Sequence, residues 1–595
     1  MKDRNDFITY LNSLHNIGAN GSYALAESQA LTTHFHEIYE PFPIINQILE
    51  SLTDKEPRVI IITGHAGDGK SSIALDIFKQ LNGISPQQPL KIPLKEHEEI
   101  AYKDKKINII KDISELSLEN RKKWLDKAFH DTGSYLIISN TGPLIDGFNE
   151  FTKNNKKYSN IESKLLSSLD LPLPLNSLNQ NCLKDFDKEL IILNLTKADN
   201  IVIASKILRK IINHPEWNKC KPCSVENACP IQLNRKALLE SIEYVLERVE
   251  WIYQRINALD QRLTLRQILS HLAFSLTGNM SCEEAVDIVN ASPLSDEDRG
   301  TEGLEKIIFS EGFLGFTCGP ASLATDRLQA VKFIKKINFG SPIGTNFERS
   351  MQVDAGMGWA SLPVSFKHIT QKWQKKSSDK YLPQYRFALR RLNYFFGKPR
   401  IGKEDLADTY LDEFIQLPGL REFDKWKKEN RMTLSRPEKD RLLNSCLNVL
   451  LEYFSGFTST QFNSQENLYI TLRREDAIQS TTQLVISIIP FEKFDLEFHE
   501  INKIPVLKFN KGQAELLLTL PLFSFIKERA AGKIGNNLSP IHLAMLNLFR
   551  EQLLKSSMDG TNQHQSLKLL KAESDGSVII KRFYLDKELG YLEPI

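Results

Sequence analysis

A chain of 595 residues exceeds what one hydrophobic core can hold, and at roughly 150 residues per domain it divides into about three or four. Hydrophobic content of 41%, charged content of 25% and a net charge of +2 are those of an ordinary globular protein, which excludes a disordered chain and any global attraction to nucleic acid or membrane. The start, MKDRNDFITYLNSLHN, lacks the apolar centre of a secretion signal, no apolar run reaches spanning length, and the seven cysteines include one tight cluster; a cytoplasmic protein without membrane attachment is expected.

Residues 1–55 read as an N-terminal helical segment. Ala24, Ala26, Ala30 and Leu31 lead to Pro41 and Pro43, and Ile44, Ile45, Ile48, Leu49 and Leu52 recur at helical spacing, so this segment should pack beside the first strand.

Residues 56–205 carry the strongest signal. A β-branched run, Val59 to Ile62, ends in Gly64-His65-Ala66-Gly67-Asp68-Gly69-Lys70-Ser71, and Ile73, Ala74, Ile77, Phe78 and Leu81 follow on one helical face. Strand, loop and helix match G-x-x-x-x-G-K-[ST] at every fixed position. Gly64, Gly67 and Gly69 allow backbone angles that turn N–H groups onto a phosphate chain; Lys70 supplies a charge for the outer phosphates, Ser71 a hydroxyl for Mg2+, and Ser72 a spare hydroxyl. ATP or GTP with Mg2+ is the expected ligand.

The next connection, from Ser85 to Lys106, is polar and proline-punctuated. An apolar strand, Ile107 to Ile110, then leads to Asp112, placed to hold the magnesium shell. An acid directly after it would polarise the attacking water, but Ile113 stands there and Glu115 reaches inward only if the chain turns; Asp112 or Ser114 as a helix N-cap is the structural alternative. The strand Ser134 to Asn140 puts Asn140 at its tip, either orienting a water or phosphate oxygen or simply forming the turn before Thr141-Gly142-Pro143. A further strand, Leu190 to Leu195, completes a mostly parallel sheet alternating with helices. No arginine occurs between Arg121 and Arg209, so an arginine finger offered to a like subunit in a homo-oligomer must come from elsewhere.

Residues 206–340 should be a helical lid with a cysteine knuckle. Cys220-Lys-Pro-Cys223 followed by Cys229-Pro230 forms a chelating turn, and His214, Cys282 or Cys182 can supply a fourth ligand. A structural zinc on His214, Cys220, Cys223 and Cys229 is the first expectation, an empty thiol cluster and an iron–sulfur centre the others. In the helical stretch Leu263 to Phe274, Arg266 near the start is the candidate reporter of the outer phosphates, with a solvated surface arginine as the alternative, and His271 reads as a core residue.

Residues 341–595 should form an α+β interaction domain after a Gly/Ser-rich stretch. Residues 372–400 interleave lysines and arginines with Trp373, Tyr381, Tyr385 and Tyr394, a pattern that suits either DNA contact or a packed helix with solvated charges. Helices are expected over 441–454 and 540–554, strands over 468–473, 484–489 and 578–584.

The loop GHAGDGKSS, the acid segment KDISEL, the strand exit SNTGPL followed by FNEF, the knuckle ending in Cys229-Pro230 and the helix LTLRQIL together resemble the DptF family, the ATPase component of bacterial DNA phosphorothioation-dependent restriction; LYITLRRED and LPLFSFIKERAAG are similar to its C-terminal elements. The family's acid segment is more like Asp-Ala-Thr-Glu than Asp112-Ile113-Ser114-Glu115, which points equally to a neighbouring defence system. The resemblance implies an α/β P-loop NTPase core of the AAA+ kind, with a helical lid and an α+β C-terminal domain. It also implies an ATP-driven subunit acting with other defence-complex subunits against foreign DNA. A nucleotide-dependent assembly module with little or no turnover is the competing expectation, and a small-molecule kinase a third.

Overall fold

Four β-branched residues in a row hide both their faces only at the centre of a covered sheet. In the computed structural model β1 (Arg58–Thr63) lies there, parallel to β4 (Ser134–Ile138) on one side and to β6 (Glu189–Asn194) on the other, with Ile61 opposite Ile137 and Ile192. β3 (Lys105–Ile110) extends the parallel set beyond β4, so β4 separates the strand that enters the glycine loop from the strand that leads to Asp112. Antiparallel edges, β2 (His97–Tyr102) and β5 (Cys182–Leu183), close a six-stranded sheet of order β2-β3-β4-β1-β6-β5.

The structure describes residues 4–15, 31–153, 161–171, 173–174, 178, 182–291, 296–317, 320–336, 362–377, 384–397, 418–428, 433–464, 466–472, 482–499, 504–533, 538–558, 566–585 and 592–594. Ala24, Ala26, Ala30, Cys318, the Gly/Ser-rich stretch after Phe339, and Lys380, Tyr381, Lys398 and Arg400 lie outside them.

One sheet face is sealed by Val59, Ile61, Tyr135, Ile137, Leu190 and Ile192 against Leu125 and Phe129 of the helix Leu118–His130 and Phe148 of the helix Thr141–Thr152. Helices Ile45–Leu52 and Lys70–Leu81 pack on β1 and β4. The expected polar connection before β3 contains the strand β2 instead. Its polar residues, with Glu99 exposed, disguise an edge strand, and the two-residue turn Lys103-Asp104 takes positive φ at both positions, as tight hairpins require. Helices Asn200–Ile212, Pro230–Glu240, Ile242–Ala258 and Leu265–Thr277 follow the sheet.

The chain divides into two units, Met1–Asn257 with Gln261–Tyr410 and Ala258–Asp260 with Leu411–Ile595, so a boundary expected at 340 falls inside the first unit. The physical reason is the packing of the helices Lys367–Ser377 and Gln384–Phe396: Trp373 Nε1 donates to Glu305 at 2.9 Å, and Arg391 forms a buried two-pronged pair with Glu311 at 2.7 and 2.6 Å. The second unit holds two antiparallel sheets. One contains β7 (Asn467–Thr471), β8 (Thr482–Pro490), β12 (Ser566–Ala572), β13 (Val578–Leu585) and β14 (Leu592–Pro594). The other contains β9 (Phe494–Phe498), β10 (Pro505–Phe509) and β11 (Ala514–Leu517). Helices Arg436–Ser455 and Pro540–Met558 belong to the same unit. Among the described residues no helix is long and apolar enough to cross a membrane.

Candidate functional site at the glycine loop

β1 delivers the chain into a loop whose backbone only glycine tolerates at two points. Gly67 has φ +90° and Gly69 φ +93°, and a methyl group on Gly67 would come within 3.1 Å of both Arg266 Cβ and Thr264 Oγ1. On Gly69 it would press on the Phe42 ring at 2.8 Å. The helix that follows starts at Lys70 with no side-chain cap. Among the described residues no hydrogen bond claims the N–H groups of Gly67, Gly69, Lys70, Ser71 or Ser72. A set of unclaimed donors at the positive end of a helix is a ready anion site.

The Lys70 ammonium is held beneath these donors by three acceptors: Gly64 O at 3.1 Å, His65 O at 2.9 Å and Asn140 Oδ1 at 2.8 Å. Asn140 follows β4, so the order of the sheet puts its amide directly beside the loop. Asn140 also begins the helix Thr141–Thr152. Burial pushes the Lys70 pKa below the ordinary lysine value; Asp112 and Asp68 nearby pull it back up, and Arg266 lowers it further. Lys70, Asp112 and Arg266 therefore share one electrostatic neighbourhood.

Asp112 is half-buried, and its Oδ1 accepts from the Ser114 amide at 2.8 Å. It caps no helix; Ser117 does that, accepting from the Asn120 amide. The segment is pinned by Arg121, which donates to Ile113 O and Ser114 O at 3.1 and 2.8 Å, and by the Ser114 hydroxyl, which accepts from the Asn140 amide at 2.6 Å. The Ser71 hydroxyl is half-buried and has no hydrogen-bond partner among the described residues. His65 and Ala66 form the exposed tip of the loop.

Arg266 is half-buried beside the loop rather than solvated on the surface, its amide donating to Gly67 O at 3.1 Å. Its guanidinium has no hydrogen bond or ion pair among the described residues, and burial pushes its pKa down. Two cations, Lys70 and Arg266, thus face one region in which unclaimed amides also gather, an arrangement that favours an anion.

Arg262, four residues earlier, is the contributor that sequence reasoning missed. It donates to Asp68 Oδ1 at 2.6 Å and to Leu195 O at 2.7 Å, while Asp68 Oδ2 accepts from the His65 amide at 2.8 Å. Asp68 is fully buried, so its charge needs this partner. The signal available was the acid itself: a carboxylate enclosed between Gly67 and Gly69 calls for a cation, though nothing local names it. Arg262 also walls a 310 Å³ cavity shared with Lys197, Asn200 and Tyr253.

Other sequence candidates are not gathered. Glu115 is exposed, and among the described residues no hydrogen bond or ion pair ties it to the loop. His214 is not placed as a ligand of the cysteines: its Nε2 contacts Glu37 at 2.9 Å, its Nδ1 accepts from the Glu216 amide, and its ring stacks on Phe7. Cys282 shares a small cavity with Cys220, Cys223 and Cys229, whereas Cys182 lies in β5. Among the described residues of the basic stretch 372–400, Trp373, Arg390, Arg391 and Tyr394 are buried, Lys375 is exposed, and Lys372 pairs with Glu305 at 2.7 Å. Of its described rings Trp373 and Tyr394 belong to the core and Tyr385 is half-buried. His271 is a core residue, as expected, bridging Tyr253 and Phe313 O.

Comparison of the chain with protein-family models, with curated proteins and with solved structures finds no match.

Proposed function

We propose that the loop from Gly64 to Ser72 binds the triphosphate of ATP with Mg2+, and that the first unit is a P-loop NTPase core of the AAA+ kind. The single observation that carries this reading is the group of unclaimed amides of Gly67, Gly69, Lys70, Ser71 and Ser72 next to two cations, Lys70 and Arg266. Asp112 and Ser71 would hold the metal that accompanies the nucleotide. Asn140 would release Lys70 to the outer phosphates and take up a water, and Arg266 would report loss of the terminal phosphate to the helix Leu265–Thr277. Order of the strands supports the reading, since β4 with Asn140 lies between the loop strand and the Asp112 strand.

The activity follows as ATP hydrolysis by a subunit that couples nucleotide state to its partners. Its association with other subunits of a DNA-restriction or anti-phage defence complex rests on the resemblance of its motifs to the DptF family. Steady-state phosphate release, with and without DNA, tests the hydrolysis; Lys70→Ala should abolish it, and phage restriction surviving unchanged in that variant would remove the link to defence.

A second reading, tight binding with little or no turnover, is favoured by one observation: no acid adjoins Asp112, and Glu115 faces solvent. One ATP retained per chain with no phosphate released over hours would select it.

A further inference from the structure

An unbroken line of hydrogen bonds runs from the loop lysine to Asp112. Lys70 donates to Asn140 Oδ1 at 2.8 Å, the Asn140 amide donates to Ser114 Oγ at 2.6 Å, and the Ser114 amide donates to Asp112 Oδ1 at 2.8 Å. β1, β4 and β3 each deliver one part of this line, and Ser114 alone joins its two halves. The proton of the Ser114 hydroxyl faces Ser139 Oγ at 3.4 Å, and the Ser139 hydroxyl in turn donates to Asn140 O at 3.0 Å. Ser114 Oγ is thereby left as the acceptor that the Asn140 amide needs.

The turn that carries Ser114 is held on two sides. The Ile113 amide donates to Ile138 O at 2.9 Å, and the Ile113 side chain is fully buried in the core of the sheet face. An acid at that position would be driven into apolar surroundings, which is the physical reason why none follows Asp112 directly. Arg121, near the start of the helix Leu118–His130, donates through Nε to Ile113 O at 3.1 Å and through Nη2 to Ser114 O at 2.8 Å. One planar guanidinium thus grips two consecutive carbonyls. Its stem passes over Gly147 of the helix Thr141–Thr152, where a methyl group would meet Arg121 Cβ at 3.4 Å.

The effect falls on Asp112. Its Oδ1 is taken by the Ser114 amide, while Oδ2 has no hydrogen-bond partner among the described residues, so the carboxylate is turned one way with one oxygen to offer. A carboxylate oriented in advance binds a hard cation, or the water around it, better than one free to rotate.

We propose that Ser114 and Arg121 are positioning residues that keep Asp112, the metal end of the site, in register with Lys70 and Asn140, its phosphate end. Both act through the groups they orient. The assignment rests on the reading of the glycine loop as a nucleotide site, and it places in these two side chains a share of the strengthening that Mg2+ gives to nucleotide binding.

The full chain is titrated calorimetrically with ATP in EDTA and again in Mg2+, and its thermal melting is recorded without ligand. In Ser114→Ala, affinity in EDTA should stay within about twofold of the parent, while the enhancement by Mg2+ should fall about fivefold, the worth of one hydrogen bond. Ser114→Thr, which keeps the hydroxyl, should recover most of it. Arg121→Ala should show the same selective loss and Arg121→Lys should not restore it, since an ammonium cannot span both carbonyls as a fork does. If melting shows that Ser114→Ala does not fold, the Arg121→Lys titrations decide. Unchanged Mg2+ enhancement in the folded variants would overturn the assignment, and so would equal weakening with and without Mg2+, which marks damage to the fold alone. A parent that binds no ATP under either condition overturns the nucleotide reading itself.

Discussion

Replacing Arg262 by Ala should damage the phosphate loop more than any substitution of comparable size at the surface of the first unit. Asp68 has 0% of its side chain exposed, while Arg262 has 22%, and the two meet at 2.6 Å. Removing one member of a buried pair costs about 3–5 kcal/mol; partial solvation of the guanidinium lowers this to about 2–3 kcal/mol. The orphaned carboxylate then has Lys70, already within its field, as its nearest cation. Drawing the ammonium toward Asp68 removes it from the outer phosphates, and if half of the lost energy reappears in binding, ATP affinity falls about tenfold. The assay is calorimetric titration of ATP with Mg2+ alongside chemical denaturation. The double variant Asp68→Asn with Arg262→Ala, which leaves no unpaired charge, should recover most of the affinity and show a coupling of about 1.5 kcal/mol or more. Arg262→Ala binding ATP within twofold of the parent, at unchanged stability, refutes the reasoning.

Gly67→Ala should lower ATP affinity by at least tenfold and stability by about 1–2 kcal/mol, because φ +90° and contacts at 3.1 Å to Thr264 and Arg266 leave no place for a methyl group; calorimetry and thermal melting check both. Asp76, in the helix behind the loop, has its pKa raised to about 6, chiefly by burial. An acid whose folded pKa lies above its unfolded value favours the fold at low pH, and that advantage is lost as pH rises from about 4 to about 6. Asp76→Asn should thus be more stable than the parent at pH 7.5 by on the order of 2 kcal/mol and equal to it below pH 4, as urea titrations across that range will show. Arg391→Ala should cost about 3–5 kcal/mol by stranding the buried Glu311, and Arg391→Lys should not restore it, since the pair is two-pronged; denaturation curves of both variants test this.

What the amino-acid order disclosed depended on how local the cause was. Val59 to Ile62 and the glycines after them determine strand, loop and helix within two dozen residues, and each lies where its pattern placed it. The Arg262–Asp68 pair spans 194 positions, and no periodicity links its halves. Cys282 was one of three candidates for a fourth ligand, and only the fold shows that it, rather than His214 or Cys182, shares a cavity with Cys220, Cys223 and Cys229. β2 was hidden because an edge strand keeps only part of its alternation, with Ile100 buried and Glu99 and Ala101 exposed. In the helices Lys367–Ser377 and Gln384–Phe396, interleaved rings and cations describe a DNA surface and an ion-paired helix contact equally well in the sequence, and only the fold shows that Lys372 and Arg391 pair with Glu305 and Glu311. In the second unit, β9, β10 and β11 are short strands whose pairing, rather than their propensity, defines them.

The central claim is that the unclaimed amides between Gly67 and Ser72, together with Lys70, grip a triphosphate. Isothermal titration of the intact chain with ATP and Mg2+, beside Lys70→Ala, tests it most directly. The account predicts one saturable site per chain in the parent and at least a hundredfold weaker binding in the variant; a parent that gives no heat with any nucleoside triphosphate, or a variant that binds as tightly as the parent, contradicts it.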